Sequence, residues 1–253
     1  MTVTIHPSAI VSSLAIIEDN VEIGPYTIVH DHVYLGVGTK IGSFCELGLP
    51  TPLAAKKELV FGKNCNIRSH NVFYAGSQIG DALNTGHYVN VRENSIVGHG
   101  CQFGNRSDVQ GDCSIGDYTK CHADVHIGKN SNIGKYVWLF PEVLLTNDPT
   151  PPSEDLLGVT IGDYSVLASK ALILPGVIIG KDCVISAGSV IKDNIPDGKL
   201  ASGNPSRIMC DAKILRMHKN IKQKAYPWRF RFHRGYPDAI VDIWNNEFKE
   251  IKK

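Results

Sequence analysis

The chain has 253 residues, of which 43% are hydrophobic and 20% charged, with a formal net charge of +1. That length suits one large domain or two small ones, and the near-neutral charge gives no global pull toward nucleic acid or an anionic membrane surface. No stretch approaches the ~18 consecutive apolar residues of a membrane span, and the opening MTVTIHPSAIVSS lacks the basic-then-apolar order of a secretory signal.

From the first residues an aliphatic side chain recurs at every sixth position. The run Ile5, Val11, Ile17, Ile23, Val29, Leu35, Ile41, Leu47 resumes after two extra residues at Phe61 and steps by six to Leu145. After ten further extra residues it resumes at Ile161 and ends at Ile191, and of the 29 positions only Thr85 and Cys121 are neither aliphatic nor Phe. A period of six is neither the 2 of a strand nor the 3.6 of a helix. It fits a short strand plus a corner, three times per coil of 18 residues, and so predicts an all-β parallel β-helix of about ten coils with the lattice residue filling the inward apex. Gly follows the lattice residue at Ile23-Gly24, Ile41-Gly42, Ile79-Gly80, Ile115-Gly116 and Ile179-Gly180, among others. We expect it there to relieve a corner that needs unusual dihedrals.

Seven cysteines raise the question of zinc or disulfides. There is no CxxC; Cys45, Cys65, Cys101, Cys113 and Cys183 each stand two residues before a lattice residue, where other coils carry Val21, Ala171 or Ser189, and Cys121 is itself a lattice residue. Cysteine as small core filler is the expectation, and with it a reducing, cytoplasmic setting.

Residues 18 apart share a column. Asn90, Asp108 and His126 therefore stack on three successive coils, each just before a lattice residue and so pointing outward. An imidazole beside a carboxylate and an amide is a candidate proton-handling site; a solvated polar stripe is the plain alternative. His122 is a second candidate, with Gly104 and Gly86 in its column leaving bare backbone for a ligand. His87 lies one coil and a corner away, followed by Arg92 and Glu93.

Loops carry function more often than the regular coils that hold them. The first break surrounds LPTPLAAKKE; the second, TNDPTPPSEDLLG, is stiffened by Pro149, Pro151 and Pro152 and is expected to stand out as a defined arm over 147–158. After Ile191 the lattice ends. We expect residues 1–195 to form the β-helix and 196–253 a C-terminal extension, with a short helix within 208–224 and another over 239–251. Between them, YPWRFRFHRGYP interleaves aromatic and basic residues. With charge balanced overall, we read this tail as packing back on the coils or across a subunit boundary, anchored by Trp228 and Phe230, rather than stacking on nucleic acid.

The hexad pattern resembles the hexapeptide-repeat acyltransferase superfamily over residues 1 to about 195. The runs VNVRENSIVGHGCQFGNRSDVQG and YVWLFPEVLLTNDPTPPSE, with the YPW…RGYP tail, look like acetyltransferases acting on dTDP-3-amino-3,6-dideoxyhexoses. The resemblance, and nothing else in the sequence, implies a left-handed helix. It further implies a homotrimer with active sites between subunits, acetyl-coenzyme A as co-substrate, no metal, and a nucleotide-linked amino sugar destined for O-antigen or S-layer glycan. It places His126 and Asn90, with Asp108, at the amine, where His126 acts as base or positioner. His87, Arg92 and Arg106 fall toward the nucleotide sugar, with Trp138, Phe140 and Asn147 around the reacting groups; His122 is carried as a substrate-binding candidate from its column. Pantetheine would run past Ala168-Ser169, Ser186-Ala187-Gly188 and Asn204-Pro205, with Arg207 toward a phosphate.

Three rival readings fit the same lattice. A γ-class carbonic anhydrase needs three zinc-binding histidines, and His87, His122 and His126 are spaced 35 and 4, in three different columns. A sugar O-acetyltransferase would need a true base for its hydroxyl acceptor, and a non-catalytic scaffold would bind no coenzyme A.

Overall fold

The computed structural model describes residues 2–251. It is a parallel β-helix of three sheets, and its two-residue strands come from successive coils. The first sheet has eleven parallel strands from Thr4–Ile5 to Lys199–Gly203 and an antiparallel twelfth, Ser206–Asp211; the second has ten and the third nine. The coil number is thus nearer eleven than ten, because Lys199–Gly203 pairs with Val184–Ile185 beyond the last hexad.

The lattice is the core. From Ile23 to Ile191 every lattice residue, Thr85 and Cys121 included, is at most 4% exposed. The first coil has none beneath it, so Ile5 is 42% exposed and Val11 and Ile17 are only half-buried. Each apolar residue stacks on its equivalents above and below, so the core is a column one coil wide.

The position two before the lattice explains why Cys, Ser and Thr interchange there. Thr27 Oγ1 donates to the Gly42 carbonyl at 2.7 Å and accepts the Cys45 amide at 3.1 Å. Ser165 Oγ likewise donates to the Gly180 carbonyl at 2.7 Å and accepts the Cys183 amide at 3.0 Å. The Cys101 thiol donates to the Gly116 carbonyl at 3.2 Å, fifteen residues on, as the hydroxyls do. All seven cysteines are free thiols. Burial pushes the Cys101 thiol up to about 12, against the pull of nearby backbone amides, so it stays protonated.

The glycines after lattice residues serve a different purpose from the one expected. Apart from Gly48, at φ +80°, they do not take the left-handed conformation, which falls two residues later, on Tyr26, Phe44, Asn64, Arg106 and Tyr118 with φ between 55° and 58° and on their equivalents in other coils. What requires glycine is the coil above. A Cβ on Gly104 would sit 2.4 Å from the His122 carbonyl carbon, and one on Gly24 2.8 Å from that of Gly42.

The second break folds into a self-held loop. Asp148 accepts the Thr150 amide at 3.0 Å and the Ser153 amide and hydroxyl at 2.8 and 2.7 Å. Its base closes through the Leu157 amide on the Asn147 carbonyl at 2.7 Å.

The extension differs from expectation over 208–224, which is not helical. Ser206–Asp211 pairs with Lys199–Gly203 and caps the first sheet, a short 3₁₀ turn follows at Ala212–Ile214, and Arg216–Met217 pairs with Asn220–Lys224. An open sheet edge offers a ladder of hydrogen bonds that overrides local helix propensity. Asp238–Ile251 is the expected helix.

The tail packs on the first sheet. Trp228, Tyr236 and Trp244 form a second apolar cluster with Val166, bordered by Tyr118, Tyr136, Trp138 and Tyr164. Trp228 is an anchor, with its indole donating to the Tyr164 carbonyl at 2.8 Å. Phe230 instead faces Phe248 of the tail's own helix at 4.8 Å, and the deepest anchor is Trp244, 1% exposed. Beneath it Arg229 bridges Asp182 of the coils and Glu247 of the helix.

Candidate active site

Asn90, Asp108 and His126 open consecutive strands of the second sheet in direct register. Period-2 alternation turns each neighbouring lattice residue inward and these three outward. Asn90 Nδ2 donates to Asp108 Oδ1 at 3.1 Å, His126 Nδ1 lies 3.0 Å from Asp108 Oδ2, and Gln110 donates to the same oxygen. Partial burial pushes the Asp108 carboxyl up, but the bonds from His126 and Gln110, the His126 charge and the Asn90 bond outweigh it and hold the group below its ordinary 3.8. Asp108 is therefore an anion that accepts the hydrogen bond of the Nδ1–H and leaves Nε2 of His126 as the acceptor, on a side chain 39% exposed.

A second group gathers where the first sheet turns into the second. Strand register carries His122, Phe140, Ala168 and Ser186 into one line along this corner, each just past a paired residue of the first sheet. His122 stacks on Phe140 with centroids 4.7 Å apart, and Trp138 donates its indole N–H to the Tyr236 hydroxyl at 2.9 Å. The expected acyl-donor residues thus continue the same edge. The amides of Ala168 and Ser186 are taken by the Ile185 and Ala201 carbonyls, whereas those of Ser169 and Ala187 donate to no group among the described residues. Gly188 has φ +67° and open space where a Cβ would be, Asn204-Pro205 forms the hairpin tip, and Arg207 is exposed on the returning strand.

Other candidates stand apart. His87 Nδ1 lies 2.7 Å from the Ser69 hydroxyl. Arg92 forks onto the fully buried Glu93 at 3.2 Å, and Arg106 onto Asp124 at 2.7 Å, so both guanidiniums already carry a carboxylate. Asn147 closes the base of the loop through its carbonyl.

Between the coils and the tail lies a cleft of about 520 Å³, whose walls include Gly86, Gly104, Lys120, His122, Trp138 and Arg234. His122 is the expected residue that reaches it with Trp138. Lys120 and Arg234 are not evident from the sequence. Lys120 has one signal, its place 18 residues before Trp138 in an outward column; Arg234 is brought in by tail docking alone. Among the described residues no three of His, Cys, Asp and Glu stand together as a metal ligand set.

Residues 158–193 match the family model described as bacterial transferase hexapeptide (six repeats). The mitochondrial gamma carbonic anhydrase 2 of Arabidopsis thaliana is 31% identical over 125 residues, 48% of this chain and 43% of that one. The bifunctional protein GlmU of Synechococcus elongatus is 28% identical over 163 residues, 56% of this chain and 34% of that one. The chain thus spans less than half the length of either curated relative. A UDP-N-acetylglucosamine acyltransferase structure from Francisella novicida aligns at 22% identity with a TM-score of 0.46, covering 81% of this chain and 70% of that one.

Proposed function

We propose that the chain is an acyltransferase of the hexapeptide-repeat kind that moves an acetyl group from acetyl-coenzyme A to the amine of a nucleotide-linked 3-amino-3,6-dideoxyhexose. The observation that carries this reading is the Asn90–Asp108–His126 column, an imidazole held by a carboxylate with its second nitrogen directed outward. The amine attacks the thioester carbonyl, its N–C bond forms as the C–S bond breaks, the amine proton passes to His126 Nε2 and from there to the departing sulfur, and coenzyme A leaves as the thiol. The donor-side edge supports the same reading, since the untaken amides of Ser169 and Ala187 are suited to pantetheine carbonyls. The open face bearing His126 is suited to cover by a second copy in a cyclic trimer, for which light scattering should read three times the mass of one chain.

The test is a screen of acetyl-coenzyme A against dTDP- and UDP-linked amino sugars, followed by thiol release. Saturable turnover with an amino sugar is expected; none with any member of the panel sinks the proposal. One observation favours a second reading, transfer to a sugar hydroxyl: a carboxylate-held imidazole is the base such an acceptor requires. His126→Ala separates the two, because hydroxyl transfer would be abolished and amine transfer retained in part.

A further inference from the structure

The cleft between the first sheet and the tail has an unbalanced charge. Its walls carry Arg68, Lys120, His122 and Arg234, and no Asp or Glu. Arg68, Lys120 and Arg234 have no ion pair among the described residues, unlike Arg92, Arg106 and Arg229. Lys120 is 9% exposed, and its ammonium lies 5.0 Å from the centroid of Trp138 and 4.3 Å from that of Tyr236, with no carboxylate partner among the described residues. Aromatic faces soften the burial of a cation but do not neutralise it. Burial and then the Arg234 charge lower the Lys120 ammonium, and burial and then Lys120 lower His122, as expected where positive groups converge without an anion.

The cleft opens into a larger, mainly apolar groove of about 710 Å³ that shares Trp138, Phe232 and Arg234 with it and adds Phe140, Val166 and Trp228. A cationic chamber joined to a groove of flat rings suits an anion carried on a planar group. We infer that the pair binds a nucleoside diphosphate, with its phosphates at Arg68, Lys120 and Arg234 and its base among Trp138, Phe232 and Trp228. Only the source of the nucleotide rests on the proposed function, since a nucleotide sugar and coenzyme A both carry this chemistry. His122, on the cleft wall, is four residues from His126, a span of at most ~14 Å of extended chain. One corner of the coil therefore separates the cleft from the column.

All three tryptophans of the chain, Trp138, Trp228 and Trp244, lie in or against this groove, so intrinsic fluorescence reports on it. Titration of the full chain with thymidine diphosphate or coenzyme A should give saturable quenching that weakens with salt, while thymidine alone should not. Quenching by thymidine diphosphate assigns the site to the acceptor nucleotide and quenching by coenzyme A to the donor; either supports the inference. Lys120→Met, and independently the exposed Arg68→Gln and Arg234→Gln, should each weaken binding about tenfold, by the loss of one charge-assisted contact. His126→Ala should leave it unchanged. No quenching by either nucleotide, equal quenching by thymidine, or unchanged affinity in the two exposed variants overturns the assignment. Binding is read without turnover, so a failed amino-sugar screen leaves this result standing and the converse also holds.

Discussion

His126 Nδ1 and Asp108 Oδ2 face each other at 3.0 Å across a single coil step, which makes two residues 18 apart in the chain one chemical unit. Replacing Asp108 by Asn frees the tautomer of His126, and turnover should fall about ten- to hundredfold with KM little changed. The carboxyl is held below its ordinary 3.8, so the stability it contributes is present above that value and is lost as pH falls through the lowered one. Urea midpoints of wild type and Asp108→Asn, compared between about pH 3 and 6, should converge only at the acid end. A gap that closes near neutral pH would contradict this assignment.

Gly104→Ala should be among the most damaging surface changes. Its Cβ would meet the His122 carbonyl carbon at 2.4 Å and the Ala123 amide nitrogen at 2.5 Å, and neither coil can move without its neighbours. Gly188→Ala meets nothing and strains only its φ of +67°, at a cost of about 1 kcal/mol. Thermal melts of the two variants should differ widely, with Gly104→Ala poorly folded.

Trp244→Ala empties the deepest site in the tail cluster, where the residue is 1% exposed and meets Tyr136, Tyr236 and Trp228 at 5.3, 4.9 and 5.6 Å. A loss of about 3–5 kcal/mol is expected. It should fall on the tail, whose contact with the coils is lateral, and spare the stacked core. Limited proteolysis should cut after residue 215 while far-UV circular dichroism keeps its β signal.

Arg229→Met leaves Asp182 and Glu247 without their shared partner. The Arg229 side chain is 7% exposed and the Asp182 carboxyl is already pushed up by burial against the pull of Arg229. Removing the cation should destabilise tail docking by about 3–5 kcal/mol. Adding Asp182→Asn and Glu247→Gln should restore part of that loss, measured by the same proteolysis.

How much of this was legible beforehand depends on the range of the forces involved. The hexads alone placed Ile23, Phe61, Leu139 and Ile185 in the core and absorbed Cys45 and Cys101 as filler, because stacking at a fixed repeat makes burial a local property of position. The Asn90–Asp108–His126 column followed from the same arithmetic. The segment 208–224 did not, since Ser206–Asp211 is a strand only because Lys199–Gly203 offers it an edge, and Arg216–Met217 and Asn220–Lys224 pair only with each other.

The sequence by itself therefore determined the solenoid, its inward lattice and its outward columns, all of which follow from a period. The tertiary structure decided which charges are paired. Arg92 and Arg106 find Glu93 and Asp124 within the coils, whereas Lys120 acquires its second ring, Tyr236, and Arg234 its place beside the cleft only when Trp228, Tyr236 and Trp244 dock. That docking joins residues about a hundred positions apart through apolar burial, which acts on surfaces in space and leaves no spacing in the chain to read.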